Sequence, residues 1–135
     1  MTPFGEKIRE LRRKRGITLK QLAGALELSP AYLSALEHGH RGLPTPALIV
    51  QICEYFNLIW DDYEEMHRLA RLSHPRVVVD TRGLSPAATE LANLIAERIG
   101  ALDDTTINAI RRQLDAVPVA LRRPKRRRGP RAAST

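Results

Sequence analysis

Four times in this chain a serine or threonine is followed directly by proline: Thr2-Pro3, Ser29-Pro30, Thr45-Pro46 and Ser85-Pro86. Each pair suits a helix start, because the hydroxyl caps a free backbone N–H and a proline at the first helical position has no N–H to leave unpaired. Thr18, with Gln21 three residues on, has the form of a capping box, and Asp61 with Glu64 offers an acidic version. Apolar residues then recur at helical spacing: Ile8 and Leu11, Leu22 and Leu26, Leu33 and Leu36, then Ile49, Ile52 and Phe56, then Met66, Leu69 and Leu72. Five short helices within residues 1–73 predict an all-α bundle. The only strand-like run, Val77-Val78-Val79, is too short and solitary for a sheet unless it pairs with its own copy or serves as an extended link.

Beyond a link over 74–84, a stripe of Leu91, Ile95, Ile99 and Leu102 precedes a second stripe of Ile107, Ile110, Leu114 and Val117. This predicts a helical hairpin over 85–117, turning near Asp103. Two helices with one apolar face each cannot bury both faces alone, so the hairpin must dock on the first domain or on a second subunit. Charge divides the chain further. Residues 1–43 carry a net +4, residues 44–117 a net −4 and residues 118–135 a net +7. The last segment holds Arg122, Arg123, Lys125, Arg126, Arg127, Arg128 and Arg131 with no acid, interrupted by proline and glycine, the composition of a disordered basic tail.

A net charge of +7 makes an acidic polymer the first partner to consider. With 4% aromatic residues, the chain has too few flat side chains for single-strand stacking platforms, which favours double-stranded DNA. One cysteine excludes an intramolecular disulfide and fits a reducing cytoplasm. No apolar run approaches the roughly 18 residues of a membrane span, and the N-terminus has no signal-peptide core, so the reading is a cytoplasmic protein without membrane attachment. Catalysis gains no support from the sequence, which has no phosphate-cradling glycine loop and no acid/base dyad, so a non-enzymatic protein is expected. His38, His40, His67, His74 and Cys53 form no metal-binding spacing, and neither a metal nor a cofactor is expected.

The most specific signal lies in residues 18–38, which read as helix, short turn, helix. Ala23 supplies the small residue that a crossing helix needs, and Leu22, Leu26, Leu28, Leu33 and Leu36 supply the apolar faces that fix the crossing. With Ile8, Leu11, Arg12, Arg15-Gly16-Ile17-Thr18, Leu33-Ser34, Leu36-Glu37 and Gly39, the string resembles the XRE/Cro family of phage-lambda-repressor-like transcriptional regulators over about residues 4–60. The resemblance implies a five-helix DNA-binding domain whose third helix enters the major groove. Ser29, Pro30, Ala31, Ser34, Ala35 and His38 are then expected along the groove, with Lys20, Tyr32, His40 and Arg41 meeting phosphates. Arg12 and Glu37 are expected as a buried structural ion pair.

Two residues depart from the family pattern. Leu19 stands where many relatives place a phosphate-binding glutamine, and Glu27 stands where a turn glycine is common, which implies either a left-handed residue at a cost of roughly 1 kcal/mol or a different turn. Pro30, Ala31 and Ala35 offer apolar contacts rather than bidentate hydrogen bonds to bases, which points to thymine-rich half-sites and partial readout of shape.

The resulting expectation is a transcriptional regulator binding a palindrome as a homodimer. Its interface is Leu91, Leu94, Ile95, Ile99, Leu102, Ile107, Ile110 and Leu114, and its tail makes nonspecific phosphate contacts. Two other classes share these features: an antitoxin-like autoregulator that binds a partner protein, and an AT-preferring architectural protein of the nucleoid.

Overall fold

The computed structural model describes residues 1–40 and 42–118. Among these residues seven α-helices follow one another: α1 (Pro3–Arg15), α2 (Leu19–Ala25), α3 (Pro30–Glu37), α4 (Pro46–Tyr55), α5 (Asp61–Arg71), α6 (Pro86–Arg98) and α7 (Asp104–Asp115), with a 3-10 turn at Ile99–Ala101. The described residues contain no strand. The basic tail of the sequence reading, apart from Pro118, lies outside the described residues.

Capping explains most of the helix starts. The side chains of Thr2, Ser29, Thr45 and Ser85 accept from the N–H groups of Gly5, Tyr32, Leu48 and Ala88, each with proline as the next residue. Thr18 and Gln21 close a reciprocal box, with Gln21 N–H donating to Thr18 Oγ1 at 3.0 Å and Thr18 N–H donating to Gln21 Oε1 at 2.8 Å. Asp103 Oδ1 accepts from Thr106 N–H at 2.8 Å and starts α7.

α5 departs from the expected acidic cap. The capping position is Trp60, at φ 46 and ψ −111, with no side-chain cap bond. A capping carboxylate needs an extended backbone at the cap, whereas Asp61 is already the first helical residue. Asp61, Asp62 and Glu64 instead lie in the first turn, where the helix dipole favours carboxylates.

The chain divides into two compact units, Met1–Val78 and Val79–Thr135. In the first, α2 packs on α3, α1 packs against α3 and α5, and α4 packs against α5. Phe4, Ile8, Leu22, Leu33, Ile52 and Met66 are the largest side chains fully enclosed by these contacts. α1 crosses α3 at Gly5, where a Cβ would lie 2.0 Å from Glu37 O, so only glycine permits this approach. Ser73 closes the unit: its Oγ accepts from Phe4 N–H at 2.9 Å and donates to Leu69 O. Leu72 turns outward at the end of α5, which ends that helix's apolar stripe at Leu69 and Ala70. Val77, Val78 and Val79 are exposed.

The second unit opens with an ordered turn. Arg82 pairs with Asp80 at 2.7 Å, and Thr81 Oγ1 lies 2.8 Å from Thr89 Oγ1. α6 and α7 follow, and neither contains a buried residue. Leu102 is not on α6 as its spacing suggested, because the helix tightens into the 3-10 turn and Leu102 is extended at φ −76 and ψ 137.

Candidate nucleic-acid interface

α2 and α3 pack on each other, and Ala23 is fully buried in the core that they share with Leu22, Leu26, Leu33 and Leu36. Glu27, at φ 57, makes the turn between them, and Leu28 N–H returns to Ala23 O at 2.8 Å. Of the two turns the sequence allowed, this is the left-handed one, a backbone that costs roughly 1 kcal/mol at a residue carrying a Cβ. Leu28 packs against the core from its half-buried position and holds the turn down.

The C-terminal end of α3 is clamped as firmly. Glu37 is 2% exposed, and Arg12 Nη2 approaches its two carboxylate oxygens at 3.3 and 3.1 Å. The backbone oxygen of Glu37 accepts from Thr2 N–H at 3.0 Å and from Thr2 Oγ1 at 3.1 Å. Bonded in this way at both the side chain and the backbone, Glu37 fixes α3 against α1.

With one face buried and both ends held, α3 presents its opposite side outward. Ala31, Ser34, Ala35 and His38 recur at the three- and four-residue steps that line one helix face. Ser29, Pro30, Ala31 and His38 are exposed, and Ser34 and Ala35 are half-buried. Ser29 Oγ is already engaged as the cap acceptor for Tyr32 N–H at 3.1 Å. His38 Nδ1 lies 2.9 Å from Ser34 O, and since a carbonyl can only accept, Nδ1 carries the proton and Nε2 is the acceptor of the neutral ring. The rings of His38 and His40 stack with centroids 6.1 Å apart.

The residues expected at phosphates are placed differently from one another. Lys20 and His40 are exposed, whereas Tyr32 is half-buried against the core. Arg41 lies outside the described residues, as do Arg122, Arg123, Lys125, Arg126, Arg127, Arg128 and Arg131 of the tail. Leu19, which replaces the family's glutamine, packs on the core, and the Gln21 amide oxygen is held by its own capping box.

On α1, Arg9 and Arg13 are exposed, while Lys14 pairs with Glu10 at 3.1 Å. That hydrogen bond, with the nearby charges of Lys7 and Lys14, holds the Glu10 carboxyl below its ordinary pKa. Arg15 has a role that its place in a basic run concealed: its guanidinium lies 5.1 Å from the Tyr55 ring centre and 5.0 Å from that of Phe56, and it donates to Tyr55 O. The aromatic pair at the end of α4 was the available signal, but nothing local in sequence links it to α1.

No group of three or more His, Cys, Asp or Glu among the described residues is arranged to hold a metal ion. Cys53 is a core residue whose burial raises its thiol pKa, and His67 packs its ring on Tyr63. No helix among the described residues is long and apolar enough to cross a membrane.

Residues 5–63, which include all of α2, α3 and α4, match the family model of the helix-turn-helix domain. They form an XRE/Cro-type helix-turn-helix domain. Similar proteins include the uncharacterized HTH-type transcriptional regulator RghRB of Bacillus subtilis (strain 168), 40% identical over 62 residues, 46% of this chain and 45% of that one. The HTH-type transcriptional repressor RghR of the same organism is 39% identical over 61 residues, 45% of each chain. The HTH-type transcriptional regulator RamB of Mycobacterium tuberculosis is 42% identical over 57 residues, 42% of this chain and 12% of that protein. The chain thus spans less than half the length of these relatives. No solved structure matches it. The helix-turn-helix match ends at residue 63, before α6 begins.

Proposed function

We propose that the chain is a double-stranded-DNA-binding transcriptional regulator that acts as a homodimer on a palindromic site. The observation that carries this reading is the outward stripe of α3, clear of the core on a helix fixed at its turn by Leu28 and at its end by Glu37. In this reading Ser29, Pro30, Ala31, Ser34, Ala35 and His38 face the major groove, and Lys20, Tyr32, His40 and Arg41 meet phosphates. The net +7 of residues 118–135 adds sequence-independent attraction to the phosphate backbone.

One module of this size reads only a few base pairs, and a dimer places two such helices about 34 Å apart on one face of the duplex. The second unit supports that assembly. Leu91, Ile99 and Leu114 are each more than half exposed, and Leu94, Ile95, Leu102, Ile107 and Ile110 are only half-buried. Covering the half of each side chain that remains exposed stabilises by roughly 1 kcal/mol each, and a second copy supplies the matching face. The place of action is the nucleoid.

Selection of bound duplexes from a random pool tests the reading, paired with Ala31→Asp. The expected result is a palindrome with half-sites about 10 base pairs apart, lost in the variant while its thermal unfolding stays unchanged. Binding that is indifferent to sequence contradicts the proposal. A chain that selects a single half-site and sediments as a monomer assigns the apolar faces of α6 and α7 to a partner protein instead.

A further inference from the structure

Resting on that DNA-binding reading, we propose that this domain reads the 5-methyl groups of pyrimidines, and that Pro30, Ala31 and Ala35 are the residues that do so. None of the six groove-facing positions carries Arg, Lys, Asn, Gln, Asp or Glu, the side chains that make the most specific hydrogen bonds to base edges. What remains polar is partly engaged already. Ser29 Oγ accepts the cap bond from Tyr32 N–H, and His38 Nδ1 is bound to Ser34 O. Gln21, the nearest amide on α2, has its oxygen held by Thr18 N–H.

The apolar groups are placed to act together. Pro30 and Ala31 are exposed on the first turn of α3, and Ala35 follows Ala31 one turn later on the same side. Residues four apart on a helix have Cβ atoms about 5–6 Å apart, a span of one to two base-pair steps of about 3.4 Å. In the major groove the apolar feature of a base edge is the thymine methyl, and it distinguishes T·A from A·T where hydrogen bonding is not used. A 5-methylcytosine carries the same group in the same place. Methyl contact thus gives this reading face a source of discrimination beyond the single hydrogen bonds open to groups such as His38 Nε2.

The test is deoxyuridine scanning of the selected site. Each thymine is replaced singly by deoxyuridine, which removes the methyl and leaves every Watson–Crick and groove hydrogen-bonding group in place. Affinities are measured at one salt concentration for the wild-type chain and for Ala31→Gly, whose fold is checked by thermal unfolding. A contacted methyl is expected to be worth about fourfold in affinity, the equivalent of roughly 0.8 kcal/mol for one buried methyl or methylene. That loss should appear at positions under α3, and at the thymine facing residue 31 it should vanish in Ala31→Gly. Insensitivity at every thymine overturns the methyl readout while leaving the regulator reading standing. A loss that persists unchanged in Ala31→Gly overturns the assignment to Ala31. Failure to select any site overturns the regulator reading and this inference together.

Discussion

In residues 1–78 all five helices share one core, with Ile8, Leu22, Ile52 and Met66 entirely shielded from solvent. In the second unit, α6 and α7 carry apolar stripes, and neither contains a fully buried residue. Both units use the same starting signal, since Ser85 caps α6 just as Ser29 caps α3. A cap is worth about 1 kcal/mol, whereas a buried leucine or isoleucine is worth about 1.5–3 kcal/mol. Capping therefore defines where a helix begins, and burial decides whether it holds a fixed place. The first unit takes its geometry from its own chain, which a reading helix needs. The second, on the proposed function, takes its stability from a second copy.

The largest way to break this contrast is Gly5→Ala. Its Cβ would overlap the Glu37 carbonyl at the α1–α3 crossing, and we expect a loss of about 3 kcal/mol or more in the unfolding of the first unit. Chemical denaturation followed at the far-ultraviolet helical signal measures it. Glu37→Ala, which leaves the largely buried Arg12 without its partner, is expected to cost about 3 kcal/mol, with a smaller loss in Glu37→Gln. In the second unit, Leu91→Asp with Ile95→Asp should convert dimer to monomer in sedimentation and weaken binding to the palindrome about 100-fold, leaving the first unit's unfolding unchanged. A double variant that stays dimeric moves the interface elsewhere.

Two smaller effects are expected at the α2–α3 turn and at the start of α7. Glu27→Gly relieves the left-handed backbone at the turn and should raise stability by about 0.5–1 kcal/mol, read as a higher melting temperature. The smallest effect belongs to Asp103. Its bonds to Thr106 lower its pKa in the folded chain, so its contribution is full above the unfolded-state value and disappears as pH falls through the folded-state value. Helicity of the second unit should thus decline on acidification in the wild type, and Asp103→Ala should remove this part of the pH dependence.

Much of the fold was legible because its signals are local. Ser/Thr-Pro pairs, a capping box and three- to four-residue apolar spacing act within one turn, and these features mark the starts of α1 to α4 and α6. α5 was read with the wrong cap, because the left-handed backbone at Asn57 and Trp60 carries no glycine to announce it. At the interface, the outward stripe of α3 follows from helical period and the helix-turn-helix pattern. Gly5, Ser73 and Arg15 escaped notice for one shared reason: each acts on a partner 32 to 69 residues away, Glu37, Phe4 and Tyr55 respectively. Periodicity within a helix says nothing about which backbone it will cross.

The most direct test of the central claim is the affinity of the full chain for its best genomic site and for a scrambled duplex, titrated against salt, with a form ending at Val117 alongside. A specific regulator with an electrostatic tail gives a specificity ratio above roughly 10³ and a shallower salt slope for the shortened form. Equal binding to the two duplexes would contradict it.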